Sequence, residues 1–234
     1  MTSHRVDVVV FAIALAVFGL VALALVWSGD WAYAALANAT GNTSATFVVP
    51  AERRDVCGQV MVMDLTRLRE LHRAWASYVT GASEVAVGPA CSLFTSDERS
   101  HMADVRAVFR GAEIAAVLAL FVGVYRIARA RRRGEALRLI RAGTVLAAGI
   151  VAVIGLAAAV AFDPLFLLFY DVFFPQGNFL FDPATSNLLR LYPEWYWQGI
   201  TAGVGVSFIG LALLAALGTH RVLRRRSNTY TRAA

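Results

Sequence analysis

Lysine is missing from this chain and cysteine nearly so. All 22 basic residues are arginine, and Cys57 and Cys91 are the only thiols. No Cys-x-x-Cys pair exists, so the redox centre of a membrane thiol oxidase is excluded. Histidine is scarce as well: His4, His72, His101 and His220 all lie outside the long apolar runs or at their ends. A haem-binding helical bundle carries its ligands within the spans, which removes that class. No polar stripe runs through any apolar run, which argues against a channel.

What is abundant is apolar. Hydrophobic residues make up 58% of the 234, and the mean hydropathy is +0.59. Four runs, Val6–Trp27, Ala107–Tyr125, Gly143–Phe162 and Gly199–Leu217, are long enough to cross a hydrocarbon core of roughly 30 Å. Arginine sets the expected orientation. Residues 126–141 hold seven arginines against one acid, and 221–232 hold five against none. Residues 28–106 hold seven arginines against nine acids. The positive-inside rule places both termini and the 126–142 loop in the cytoplasm. The net charge of +6 therefore reflects topology and anionic headgroups, and nucleic acid is not a partner.

The expected fold is an all-α membrane protein with four transmembrane helices. A small helical extracytoplasmic domain separates helices 1 and 2, and an aromatic interfacial segment separates helices 3 and 4. The divisions are 1–27, 28–106, 107–125, 126–142, 143–162, 163–198, 199–217 and 218–234. Ala35-Leu36-Ala37 resembles a cleavage site, but the long apolar core and the belt residues Trp27 and Trp31 favour a retained first helix. Residues 38–51 read as extended or looped. Asp64–Thr80 reads as an amphipathic helix with Leu65, Leu68, Trp75 and Val79 on one side, His72 within that stripe and Gly81 as the stop. His72 reads as a packed or interface residue. Cys57 and Cys91 suit a disulfide in an oxidising compartment, worth roughly 3–4 kcal/mol; a free thiol or a partner linkage stays open.

Two stretches carry candidate chemistry. In the first, Thr95 and Glu98 have capping-box spacing, and Asp97, His101 and Asp104 follow on a helix leading into the second span. Neighbouring carboxylates favour a protonated imidazole and fix its tautomer, the arrangement of a general acid/base at the lipid–water boundary. Arg106, Arg110 and Glu113 lie on nearly the opposite side and are expected to pair or to reach lipid headgroups. The second stretch, residues 162–182, is crowded with phenylalanine. It is expected to lie along or dip into the membrane surface, with Asp163 and Asp171 needing partners among the aromatics. Trp195 and Trp197 belong to a girdle before the last span.

Ser100–Arg106 (Ser-His-Met-Ala-Asp-Val-Arg) is followed by Phe162-Asp163, Phe169-Tyr170-Asp171-Val172-Phe173-Phe174, Phe181–Thr185 and Leu191–Glu194. In order, spacing and position these blocks resemble the bacterial Lit-type family of lipoprotein intramolecular transacylases, over Met63 to Trp197. The resemblance implies transfer of an acyl chain from the diacylglyceryl group to the amino group of the same lipoprotein's N-terminal cysteine. It implies a bacterial cell membrane, membrane lipids and a lipoprotein substrate as partners, and no metal or soluble cofactor. The family's first functional histidine corresponds to His101. Its second lies in Phe-His-x-x-Phe-Phe, where this chain has Tyr170. His101 is then expected as base, Asp104 as its orienter and Tyr170 as oxyanion donor, with Asp171, Asp163 or His72 assisting. The alternative is a non-catalytic four-span protein whose outer domain binds a lipid or protein partner.

Overall fold

A computed structural model describes residues 2–50, 59–84, 93–177 and 179–232. Cys57 and Cys91 lie outside the described residues. In chain order the elements are α1 (Thr2–Trp27), α2 (Asp30–Thr40), β1 (Ser44–Val48), β2 (Val60–Asp64), α3 (Leu65–Val79), α4 (Ser96–Arg132), α5 (Ala136–Val160), α6 (Phe162–Phe173), α7 (Asn187–Leu191) and α8 (Glu194–Arg232). Among the described residues four helices are long and apolar enough to cross a membrane, within α1, α4, α5 and α8. The expected four-span, helical class holds. The helices α4 and α8 overrun their apolar runs at both ends, because polar residues with good helix propensity continue the same hydrogen-bonded spiral into water.

The chain divides into a span unit (1–24, 113–160, 202–234) and an interhelical unit (25–112, 161–201). The span unit packs by close approach. A Cβ added at Gly143 would stand 2.3 Å from the Phe11 ring, and one at Gly19 would stand 2.6 Å from Phe208. Ala12, Ala147, Ala148 and Ala212 are buried around these contacts. Small residues at interfaces let helices meet where lipid tails supply no hydrophobic drive. Gly134, at φ 72°, closes α4 and lets Glu135 N–H reach the Ala130 carbonyl at 2.9 Å.

The interhelical unit surrounds one aromatic core: Trp75, Phe47, Leu68, Tyr33, Leu191, Phe94 and Met63 are all buried. Helix α3 follows the sequence expectation. Asp64 caps it by accepting from Arg67 N–H, Thr80 closes it, and Gly81 (φ 77°) turns the chain away. Leu68, His72, Trp75 and Val79 face inward. Asp30 ties α2 to α3 through Arg69 (2.7 Å) and Arg73 (2.8 Å).

Two elements differ from the sequence reading. Residues 44–48, read only as extended or looped, form a strand that pairs antiparallel with 60–64, with Phe47 opposite Met61 and Ala45 opposite Met63. Phe47 and Met63 point into the core, while Thr46 and Val62 point outward, a period-2 pattern too short to stand out in sequence. Among the described residues no third strand lies beside β1. The Asn187 side chain takes that place: its carbonyl accepts from Val48 N–H (2.9 Å) and its amide donates to the carbonyls of Val48 (2.7 Å) and Leu93 (2.5 Å). Arg190 donates to the Thr46 carbonyl (2.6 Å). Helix α2 is the second difference, punctuated by Gly29 before it and Gly41 (φ 73°) after it.

Candidate functional site

The start of α4 is built as its capping box requires. Thr95 N–H donates to Glu98 (2.9 Å), and Glu98 N–H donates to the Thr95 hydroxyl (3.2 Å). Glu98 does more than cap. Its second oxygen accepts from the Ser186 hydroxyl (2.6 Å) and from Leu188 N–H (2.8 Å), and the carboxylate is only 1% exposed. One buried acid thus joins the first turn of α4 to the segment entering α7.

His101 stands one turn further on, 3% exposed, inside an aromatic wall. The ring of Phe174 lies at 4.9 Å, Phe181 edge-on at 5.5 Å, and Tyr170 nearly parallel (17°) at 6.0 Å. Tyr170 is itself packed by Phe166, Phe179 and Phe174 at 4.8–5.2 Å. Burial holds its hydroxyl protonated, with the pKa pushed up to about 12. Asp104, on the His101 side of α4, accepts from the Gln176 amide at 3.0 Å. Gln176 follows Phe174 and Pro175, so this bond tethers the turn that presents Phe174 to the imidazole.

The structure therefore brings together the rings of His101 and Tyr170, while Asp104, expected to orient the imidazole, is bonded to Gln176. Asp163 and Asp171 stay outside. Both are exposed on α6, and neither makes a hydrogen bond or ion pair among the described residues. The sequence suggested partners among the aromatics for both, and none of the described residues supplies one. His72 belongs to a separate cluster. Its Nε2–H donates to the Ser28 carbonyl (3.1 Å), which makes Nδ1 the acceptor of the Tyr192 hydroxyl (3.2 Å). It lies against the Tyr33 ring at 4.9 Å, and burial depresses its pKa. This is the packed histidine that the apolar stripe indicated. Arg106 pairs with Glu84 (2.9 Å) and lies over the Tyr78 ring (4.8 Å). Arg110 packs over Gly81, where an added Cβ would meet its guanidinium at 3.0 Å, and Glu113 forms no ion pair among the described residues. Sequence reasoning did not find the wider roles of Glu98, Ser186, Asn187 and Gln176, since no local pattern marks a long-range hydrogen bond.

Four membrane-length helices make this an integral membrane protein, and its interhelical unit sets a buried imidazole and a protonated phenol on one apolar wall. The chain belongs to the lipoprotein intramolecular transacylase Lit family, whose sequence model matches residues 7–197. It is similar in fold to the in meso structure of the membrane integral lipoprotein intramolecular transacylase Lit from Bacillus cereus. The TM-score is 0.71 at 17% identity, covering 97% of this chain and 99% of that one. Two single-histidine variants of the Bacillus cereus protein, to arginine and to alanine, match at TM-score 0.69 and 16% identity. Each comparison covers 97% of this chain, with 95% and 96% of the respective variant. No protein with a curated description matches the chain in sequence.

Proposed function

We propose that the chain performs intramolecular acyl transfer on a lipoprotein, with His101 as the proton carrier and Tyr170 as the oxyanion donor. The observation that carries this reading is the convergence of these two side chains on one aromatic wall. The substrate's N-terminal amine attacks an ester carbonyl of its own diacylglyceryl group. His101 accepts the amine proton as the carbon–nitrogen bond forms, and the Tyr170 hydroxyl donates to the tetrahedral oxyanion. The carbon–oxygen bond then breaks, and the imidazolium returns its proton to the leaving alkoxide. The products are an N-acylated cysteine and a lyso-glyceryl group. A phenol held protonated is suited to donation and unsuited to act as base, so one imidazole takes and returns the same proton. Asp104 acts at one remove, through Gln176 and Phe174.

Arginine distribution supports an orientation with the interhelical unit outward and the termini cytoplasmic. The exposed apolar residues of α6 (Leu167, Leu168, Phe169, Val172 and Phe173) suit a helix bathed in lipid, from which acyl chains enter sideways. Mass spectrometry of lipoprotein N-termini from cells expressing wild type, His101→Ala or Tyr170→Phe tests the reading. N-acylated lyso-lipoprotein is expected with wild type and is lost with His101→Ala. The same lipid forms in all strains would refute it and leave the non-catalytic alternative.

A further inference from the structure

The last two turns of α4, with Arg133 just beyond them, hold a second, unrelated feature. Tyr125, Ala128, Arg129, Arg132 and Arg133 line a cavity of about 340 Å³. Their spacing places them on a single helix face, and Ala128 forms the low floor between longer side chains. Asp7 of α1 is the only acid among the described residues that pairs here. It accepts from Arg126 and, at 3.3 Å, from Arg133, fixing one wall of the cavity. Arg129 and Arg132 are exposed and form no ion pair among the described residues. Three guanidiniums (Arg126, Arg129 and Arg133) thus surround one carboxylate, and three arginines (Arg129, Arg132 and Arg133) line the cavity, which leaves it an excess of positive charge.

The cavity also has a definite setting. It follows the apolar stretch in which Ile114, Val117, Leu118, Phe121 and Val124 are exposed, and Tyr125 marks the boundary. A helix surface that changes from bare aliphatic residues to arginine within one turn passes there from acyl chains to headgroups. Guanidinium forks match phosphate oxygens two at a time, and a phenol adds a neutral donor. We infer that this cavity is a binding site for the phosphate of an anionic membrane lipid, held by Arg129 and Arg132 with Arg133 positioned by Asp7. The site is independent of His101 and of the acyl-transfer reading.

The test uses the delipidated full-length protein in detergent, titrated with phosphatidylglycerol or phosphatidylcholine and read by native mass spectrometry. Wild type should retain phosphatidylglycerol about 30-fold better than phosphatidylcholine, as two arginines near a headgroup would provide. The double variant Arg129→Gln/Arg132→Gln should lose that preference. Ala128→Phe, which fills the floor and keeps every charge, should lose it as well. Arg131→Gln, which removes a neighbouring charge that does not line the cavity, should keep it. No preference in wild type, an unchanged preference in Ala128→Phe, or an equal loss in Arg131→Gln would overturn the site in favour of diffuse attraction. Inorganic phosphate supplies the remaining arm: failure to displace phosphatidylglycerol supports a lipid source, and displacement at matched concentration overturns it in favour of a soluble phosphate.

Discussion

Replacing Glu98 by glutamine tests whether one buried carboxylate holds the reaction site together. The two side chains have nearly the same shape, so no cavity forms. In the wild type, one oxygen receives Thr95 N–H (2.9 Å), and the other receives Leu188 N–H (2.8 Å) and the Ser186 hydroxyl (2.6 Å). An amide has only one acceptor oxygen, so its nitrogen must face one of these two backbone donors. That donor loses its partner, at a cost of about 1–3 kcal/mol for the buried Leu188 N–H and less for the part-buried Thr95 N–H, and the surviving bonds lose their charge assistance. Together these losses amount to about 3 kcal/mol of local stability, or about a 100-fold increase in opening. Backbone hydrogen exchange of the protein in lipid nanodiscs measures it directly. Peptides covering Thr95 and Leu188 should exchange about 100-fold faster, while those from the middle of α5 should not change. Because Phe181 leads into this segment and meets the His101 ring edge-on, transacylation should fall as well. Unchanged exchange at both positions would show that Glu98 merely caps a helix, and the proposed brace would be wrong.

Further outcomes follow from the same geometry. Tyr170→Phe should lower turnover by about 10²–10³, the worth of one oxyanion donor, without altering thermal stability by more than a few degrees. With Tyr170 protonated to about pH 12, the wild-type rate should show no alkaline decline from this group below pH 10, measured on purified lipoprotein in proteoliposomes. His72 is neutral in the fold, and its pKa lies below the ordinary value of 6.5. The unfolded chain therefore binds more protons as pH falls through 6.5, and the interhelical unit loses stability there; His72→Gln should flatten that acid-side decline in melting temperature. Gly143→Ala sets a methyl against the Phe11 ring and should cost about 1–3 kcal/mol, read as a lower melting temperature with turnover unchanged at low temperature.

Much of this was legible because some physics is local. The apolar runs announced four spans, and the spacing of Thr95 and Glu98 announced the α4 start. The stripe through Leu68, His72, Trp75 and Val79 gave both the helix and its buried histidine. Membrane thickness, however, fixes only the length of an apolar run, so the ends of α4 and α8 could not be read from it. The strand pair escaped because Ser44 and Thr46 face outward, which makes that strand resemble a polar loop. The partners of Glu98 and Asn187 lie far away in sequence, and hydrogen bonds of that kind leave no periodic trace. Tyr170 was found through family resemblance, and periodicity alone would have passed it over as one more aromatic. Asp163 and Asp171 could not be placed from sequence, because composition does not say whether an acid on a helix turns toward the His101 wall or, as here, to the exposed surface.

Helix α6 carries Tyr170 yet leaves none of its residues fully buried in the protein. Its seating must therefore be completed by whatever hydrocarbon surrounds it. The enzyme leaves part of its wall to be supplied by the fluid it works in, and a micelle is a different wall from a bilayer. Rates taken in detergent will then rank detergents as much as variants, and acyl-chain order in the host membrane becomes a variable of the reaction.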